Sequence, residues 1–471
     1  MTTDIFIGRE KELNYLESLY VSSKFEMLIL HGRRRVGKSY LLSHFARIHK
    51  ENAVYFTADK SSERNNVENF CREMKRTLGM GDYAGAFTQW REVYSFIESL
   101  EIKDKLIIII DEFTYLYNSN KAFDSELQNA IDNIFRNKKI LLVLCGSEVS
   151  VIEELFDNQS KPLYGRKTAD LKLLPFSYKE ARKFFPRYSE EESLIAYSIL
   201  GGIPLYLSLF DDRLSIKENV IRNCLSTTGY LFNEVDNLLR MELKETHLYK
   251  RIMEAINSGA STFGNIREQI DEVPAKISKY INVLIELGFI KKEIPCGEKE
   301  KTRNTLYSIN DNYIAFYFMF IYKHLNMLNG LISPALYYER ELTKEKLNSF
   351  IGHRFESICE TYLRERFFLG KMPFYAEQLG RWWGSNPVLK KSEEIDILAL
   401  DEKNALFAEC KYRETPFDEK QLADLLDSSL CINRKSKYYV IFSKKGITNE
   451  VRMKIEGNTS YMVVGICDLY A

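Results

Sequence analysis

Residues 32–40 read Gly-Arg-Arg-Arg-Val-Gly-Lys-Ser-Tyr. Two glycines let a backbone turn wrap closely around an anion. The turn's amides and the start of a following helix give positive potential. The spacing is G-x-x-x-x-G-K-[ST], which predicts a loop for ATP with Mg²⁺. Gly32, Arg33, Arg34, Arg35, Val36, Gly37, Lys38, Ser39 and Tyr40 are the expected nucleotide-binding run. Lys38 is expected on the β- and γ-phosphates and Ser39 on the metal. Arg33, Arg34 and Arg35 are either phosphate-adjacent or solvated, and the sequence leaves both open. A second piece follows at Leu106–Ile110, five apolar residues ending in Asp111-Glu112. A carboxylate at the carboxyl end of a parallel strand faces the phosphate crevice. Asp111 is therefore expected on Mg²⁺, and Glu112 is the group expected to polarise the attacking water.

Another set lies far along the chain. Glu356 sits in a helical stretch, Asp396 in Glu-Glu-Ile-Asp-Ile, and Glu409 and Lys411 in Ala-Glu-Cys-Lys. Strand alternation puts Glu409 and Lys411 on one face and turns Cys410 away. Asp396, Glu409 and the Cys410 carbonyl then suit one or two divalent cations at a scissile phosphate. Lys411 is placed to orient or deprotonate water, or to neutralise developing charge. Gln421 opens a later helix and is a weaker candidate for supporting this site.

A third region, from Glu245 to Asn310, reads as three helices and a hairpin, a winged helix-turn-helix. Lys276, Ser278 and Lys279 lie on its third helix, and Lys299, Lys301 and Arg303 on its hairpin. The functional expectation puts the helix in a major groove and the hairpin on phosphate. Ten Lys/Arg against nine Asp/Glu leave the region nearly neutral, which equally suits internal packing.

The elements that must hold these residues are legible as apolar runs. Phe25–Leu30, Ala53–Phe56, Leu106–Ile110 and Ile140–Leu144 predict strands, with amphipathic stretches between them, as in a parallel sheet with crossover helices. A helix over 353–369 leads into strands near Ile395–Leu400, Ala405–Lys411, Lys437–Phe442 and Tyr461–Ile466. Trp382 and Trp383 stack on bases or, more in keeping with their type, pack a core edge. The chain has 471 residues, which at roughly 150 per domain suggests about three domains. Sixty-six basic and 66 acidic residues balance, so any nucleic-acid contact must be local. Eight scattered cysteines without a Cys-x-x-Cys pair predict buried, reduced thiols and a cytoplasmic protein. The aromatic run Tyr313–Tyr322 is about half of the ~20 residues a membrane span needs, so no membrane association is expected.

Phe6-Ile7-Gly8-Arg9-Glu10 resembles the box that precedes the P-loop in archaeal-type ATPases of the AAA+-related STAND class. Leu144-Cys145-Gly146-Ser147 resembles their sensor strand, which implies a Ser147 hydroxyl near the γ-phosphate. Pro162-Leu163-Tyr164-Gly165-Arg166 resembles a further signature, implying that Arg166 senses or stabilises phosphate, as an arginine finger if the protein forms a homo-oligomer. Gly201-Gly202-Ile203-Pro204 resembles the glycine-proline motif of a helical lid, which brings Pro204 to the nucleotide. The four-residue set around Asp396 is similar to the PD-(D/E)xK nuclease superfamily, with Ile395 where that superfamily usually has proline. Residues 379–396 resemble the C-terminal domain of unknown function fused to these ATPases.

The expected fold class is α/β and multidomain. It comprises a P-loop parallel-sheet ATPase (1–177), a helical lid (178–244), a winged helix-turn-helix (245–312) and an α/β restriction-endonuclease-like domain (313–471). The expected function is ATP binding and hydrolysis coupled to a Mg²⁺-dependent nuclease in DNA processing or defence. The alternative is an ATP-dependent regulatory switch that binds DNA or protein and keeps an inactive nuclease fold.

Overall fold

The computed structural model describes residues 6–79, 87–243, 245–299, 302 and 304–471. Lys301 and Arg303, expected on the hairpin, lie outside the described residues. The chain forms two compact units: residues 1–176 with 203–205, and 177–202 with 206–471.

The first unit is built on a five-stranded parallel sheet. Its strands are β1 (Glu26–His31), β2 (Ala53–Thr57), β3 (Leu106–Asp111), β4 (Ile140–Gly146) and β5 (Ala169–Lys172). Their order is β2-β3-β4-β1-β5. β3 and β4 are buried along their whole length, as strands covered on both faces must be. That placement explains their unbroken Ile/Leu/Val runs. β5 was not expected. It is an edge strand whose Asp170 and Lys172 are solvent-facing, so it carries no apolar signal. One side of the sheet buries a cluster that includes Phe56, Phe70, Trp90, Phe123 and Phe135.

The second unit begins with short helices, each opened by a serine that caps its own first turn, at Ser177, Ser189 and Ser215. Three helices follow at Thr246–Asn257, Phe263–Glu268 and Pro274–Glu286, then an antiparallel hairpin of β6 (Ile290–Glu293) and β7 (Leu306–Ile309). The aromatic run forms a helix at Asn312–Phe320 that is buried on nearly every side. Among the described residues no helix is long and apolar enough to cross a membrane.

A 25-residue helix, Lys344–Phe368, carries Glu356 and starts nine residues earlier than the sequence suggests, capped by Thr343. It precedes a mixed sheet of β8 (Gln378–Asn386), β9 (Lys391–Leu400), β10 (Asn404–Lys411), β11 (Ser436–Ser443) and β12 (Tyr461–Val464), in the order β12-β11-β10-β9-β8. β8, β9 and β10 pair antiparallel, while β10, β11 and β12 run parallel.

Candidate functional site

The phosphate loop leaves β1 at His31 and enters the helix Lys38–Ile48. Gly32 has φ +145°, and a Cβ there would sit 2.4 Å from the Leu173 carbonyl, so only glycine fits. Arg35 (φ 69°) and Gly37 (φ 94°) are left-handed, which turns successive amides toward the loop's interior. Lys38 is buried and donates to the carbonyls of Gly32 (2.8 Å) and Arg33 (3.1 Å), so its ammonium spans the loop it serves. Burial pushes this ammonium below its ordinary value, against the pull of Glu112 and Asp111. An anionic ligand in the loop would relieve that desolvation. Arg33, Arg34, Arg35 and Gly37 are half-buried, Val36 is fully buried, and Ser39 and Tyr40 are exposed. Pro204 reaches the loop, 3.6 Å from where a Cβ on Gly37 would stand.

The box before the loop turns out to be a brace. Gly8 (φ 71°) and Arg9 (φ 66°) are both left-handed, and a Cβ on Gly8 would meet the Phe176 ring at 2.9 Å. Arg9 is buried. Its Nη2 donates to the Val36 carbonyl at 2.9 Å, and its guanidinium lies 4.1 Å from the Phe176 ring centre. The sequence marks Arg9 only as part of a box; its role depends on two partners far along the chain. A buried, charge-assisted bond of this kind contributes about 1.5–3 kcal/mol. Arg9→Ala is expected to lower the melting temperature and weaken ATP binding several-fold, with Arg9→Lys recovering little because lysine lacks the planar fork. Thermal melts and ATP titration of the three proteins check this.

At the end of β3, Asp111 is 1% exposed and its Oδ2 accepts from the Tyr55 hydroxyl at 2.8 Å. Sequence reading missed Tyr55; the parallel β2–β3 pairing brings it there. Glu112 adopts φ 54°, a conformation that costs about 1–3 kcal/mol in a non-glycine residue and gathers at functional sites. Its Oε1 accepts from the Ser147 hydroxyl at 2.8 Å. Its Oε2 is buried and accepts nothing. Ser147 thus meets the carboxylate that the sequence paired with water. These groups fit Mg²⁺: a loop-edge hydroxyl, a buried carboxylate oriented by a phenol, and a second carboxylate with one oxygen unsatisfied.

Arg166 corrects an expectation. Its Nε and Nη2 bind Asp132 at 2.7–3.2 Å, and its Nη1 donates to the Pro162 and Tyr164 carbonyls. The guanidinium holds the Asp132 carboxyl below its ordinary range. Every donor nitrogen is occupied by structure, so within this chain the residue is a latch rather than a phosphate sensor.

The C-terminal set does converge. Ile397 pairs with Ala408, which sets Asp396 beside Glu409 on the neighbouring strand. Lys411 forms an ion pair with Glu409. The Cys410 amide donates to Asp396 Oδ2 at 2.8 Å, so this backbone serves the carboxylate through its N–H, where its carbonyl had been expected to serve the metal. Burial, reinforced by the Asp396 charge, pushes Glu356 up to about 8 and Glu409 up to about 6; burial also raises Asp396. Burial opposes it, but the Glu409 carboxylate holds the Lys411 ammonium above its ordinary value. Acids that resist ionisation together are the electrostatic complement of a divalent cation. Against this, no group of three or more His, Cys, Asp or Glu among the described residues is arranged as a finished metal cage. A cation here would need water or substrate oxygens to complete its shell.

Two further expectations change. Gln421 caps its own helix, accepting from the Asp418 amide at 3.0 Å, and so does not serve the site. Trp382 packs against the sheet's core and Trp383 donates to Asn304 at 2.8 Å, which favours packing over base stacking.

The hairpin expected on DNA phosphate is engaged elsewhere. The Cys296 amide donates to the Arg381 carbonyl (2.9 Å), its thiol to Leu398, and the Gly297 amide to Gln378 (2.7 Å). Cys296 belongs to the apolar core with Ile395, Leu398 and Phe407. Lys276 is also occupied, bound to Glu272 (3.1 Å) and near Glu245 (3.5 Å). Ser278 and Lys279 remain exposed.

The model of an ATPase domain predominantly from Archaea matches residues 6–210. That of a family described as archaeal and bacterial proteins of unknown function matches 317–423. An uncharacterized protein of Methanocaldococcus jannaschii is 33% identical over 447 residues, covering 94% of this chain and 96% of its own. An uncharacterized ATP-binding protein of the same organism is 44% identical over 41 residues, 9% of this chain and 70% of its own. The solved Walker-type ATPase of Pyrococcus abyssi is 20% identical, with a TM-score of 0.49 over 66% of this chain and 96% of that one. A relative matched across nearly its whole length and a matching ATPase domain lead to one statement: the chain belongs to the archaeal-type P-loop ATPases that carry this C-terminal domain.

Proposed function

We propose that the protein binds and hydrolyses ATP in its first unit and uses the nucleotide state to control a metal-dependent phosphodiesterase in its second. The observation that carries the first half is Glu112, strained, tied to Ser147 by one oxygen and left with the other buried and unsatisfied. A water seated on Oε2 would be polarised toward the γ-phosphate. Lys38 would neutralise the β- and γ-phosphate oxygens, while the loop from Gly32 cradles them with its amides. Ser39 and Asp111 would hold Mg²⁺, which when bound neutralises charge on the phosphates. Ser147 would report the γ-phosphate, because its hydroxyl cannot serve both that group and Glu112 fully. Pro204, beside Gly37, is the point at which a lid over 178–244 would feel the loop.

For the second half, the support is the convergence of Glu356, Asp396, Glu409 and Lys411 at one end of the mixed sheet. Asp396 and Glu409 would hold Mg²⁺, which when bound polarises the scissile phosphate. Lys411 would stabilise the charge that builds there, and Glu356 would orient water. The helix order over 245–312 supports a winged helix, with DNA contact confined to the exposed Ser278 and Lys279. The docked hairpin favours a second reading, a regulatory switch in which this region packs rather than binds DNA.

The test is direct. Plasmid and single-stranded DNA are incubated with Mg²⁺ or Mn²⁺, with and without ATP, using wild type, Lys38→Ala and Lys411→Ala. Lys38→Ala is expected to weaken ATP binding by about tenfold or more, the cost of one charge-assisted contact. Lys411→Ala is expected to abolish cleavage without changing ATP binding. No cleavage by wild type under any condition leaves the switch reading standing and removes the nuclease.

A further inference from the structure

Between the hairpin and the mixed sheet lies a cleft of about 130 Å³, lined by Glu356 and Asp396 on one side and by Arg354, Arg381, Lys291 and Glu293 among others. Such a volume suits a phosphate group with little beyond it. The cations in it differ in how fully they are used. Lys291 is neutralised by Glu293 at 2.7 Å, and Glu293 also accepts from Ser308 at 2.8 Å. Arg381 gives Nε (2.6 Å) and Nη2 to one oxygen of Glu394, and its Nη1 donates to no protein group. Arg354 donates Nη1 to the Ile309 carbonyl at 2.9 Å, while its Nε is buried with no acceptor at all. A buried guanidinium nitrogen without an acceptor is costly. Here two arginines with unused donors line the same cleft as the two carboxylates, a surface made for an anion.

We infer that Arg381 and Arg354 are the phosphate-binding residues of this cleft, holding the non-bridging oxygens of a nucleic-acid phosphodiester against Glu356 and Asp396. This rests on the phosphodiesterase reading for its substrate class, and it concerns residues that none of the acidic motif marks. Arginine suits the task because its planar fork meets two phosphate oxygens at once. Glu394, half-exposed, keeps the Arg381 fork oriented while the cleft is empty. The hairpin supplies the opposite wall, which explains why its tip is fastened into the sheet.

The experiment uses the full chain carrying Lys38→Ala, so that the ATP loop does not report phosphate. A fluorescein-labelled single-stranded oligonucleotide is titrated in Ca²⁺ and followed by anisotropy across a salt series. Arg381→Gln is expected to weaken binding about tenfold and to lower the salt slope by about one, as loss of one phosphate contact should. Arg381→Lys is expected to recover part of the affinity. Arg354→Lys, which keeps the charge beside Ile309, is the second variant in case Arg354→Gln does not fold; it is expected to weaken binding while leaving the melting temperature unchanged. Competition by a nucleoside monophosphate and by inorganic phosphate separates a free phosphate site from a strand site: a strand site is displaced by oligonucleotide far more readily than by either. Unchanged affinity and slope in Arg381→Gln, or displacement by inorganic phosphate as readily as by oligonucleotide, overturns the assignment. Cleavage is scored separately with Mn²⁺, so an inactive protein that still loses oligonucleotide binding in Arg381→Gln counts against the phosphodiesterase and for the arginines.

Discussion

Glu112→Gln is expected to lower steady-state ATP hydrolysis by about a hundredfold or more while leaving ATP affinity within a few-fold of wild type. General base assistance contributes roughly 10²–10⁴ in rate. Glutamine keeps the size of the side chain, and its amide oxygen can still accept from the Ser147 hydroxyl that now meets Glu112 at 2.8 Å. What is lost is the negative charge at the buried oxygen that accepts no bond. Lys38→Ala should do the reverse, removing affinity first. The contrast separates a catalytic carboxylate from a structural one: were Glu112 present only to hold Ser147, the glutamine variant would turn over ATP normally. Phosphate release and equilibrium nucleotide titration on the same preparations decide it.

The second large effect is on stability. Burial and the Asp396 charge push Glu356 up to about 8, against 4.5 for the ordinary carboxyl. A carboxyl whose folded value is raised favours the folded state only while it is protonated. As pH rises above 4.5 the unfolded chain releases that proton and the folded chain keeps it, so stability falls progressively until about pH 8. Glu356→Gln removes the penalty. It should therefore be more stable than wild type at pH 7, on the order of 2 kcal/mol, with the difference vanishing near pH 4. Added Mn²⁺ should raise the melting temperature of wild type more than that of Glu356→Gln, because the cation offsets the repulsion the variant no longer has. A glutamine variant less stable than wild type at pH 7 would show that the side chain is held by structure rather than by the needs of a site.

Both results depend on features of unequal visibility in the sequence. β3 and β4 announce themselves because both faces are covered, and the unbroken apolar runs at Leu106–Ile110 and Ile140–Leu144 report that. β5 and β8 do not. Ala169–Lys172 is an edge strand with polar residues outward, and Gln378–Asn386 carries two glycines and mostly half-buried side chains. The phosphate loop was legible because its chemistry is local: spacing alone sets glycine, lysine and serine around one turn. Arg9, Tyr55 and Arg166 were not, because each takes its meaning from a partner 27 or more residues away. Asp132 is what makes Arg166 a latch, and nothing near Arg166 in sequence names it. Lys276 is different. Its partner Glu272 is four residues back on the same helical stretch, a spacing that could have warned that its charge was already satisfied.

The hairpin's insertion has a practical outcome for anyone dividing the chain. Cys296 stands well before the residues 317–423 that match the C-terminal family, yet it fills the interior of that family's sheet beside Leu398 and Phe407. A fragment starting at residue 313 would leave behind a plug from its own interior, together with the backbone bonds at Arg381 and Gln378. Its exposed aliphatic gap would favour self-association over activity. The boundary drawn by family matching and the boundary drawn by packing are different lines, and only a cut before the three helices at Thr246 respects the second.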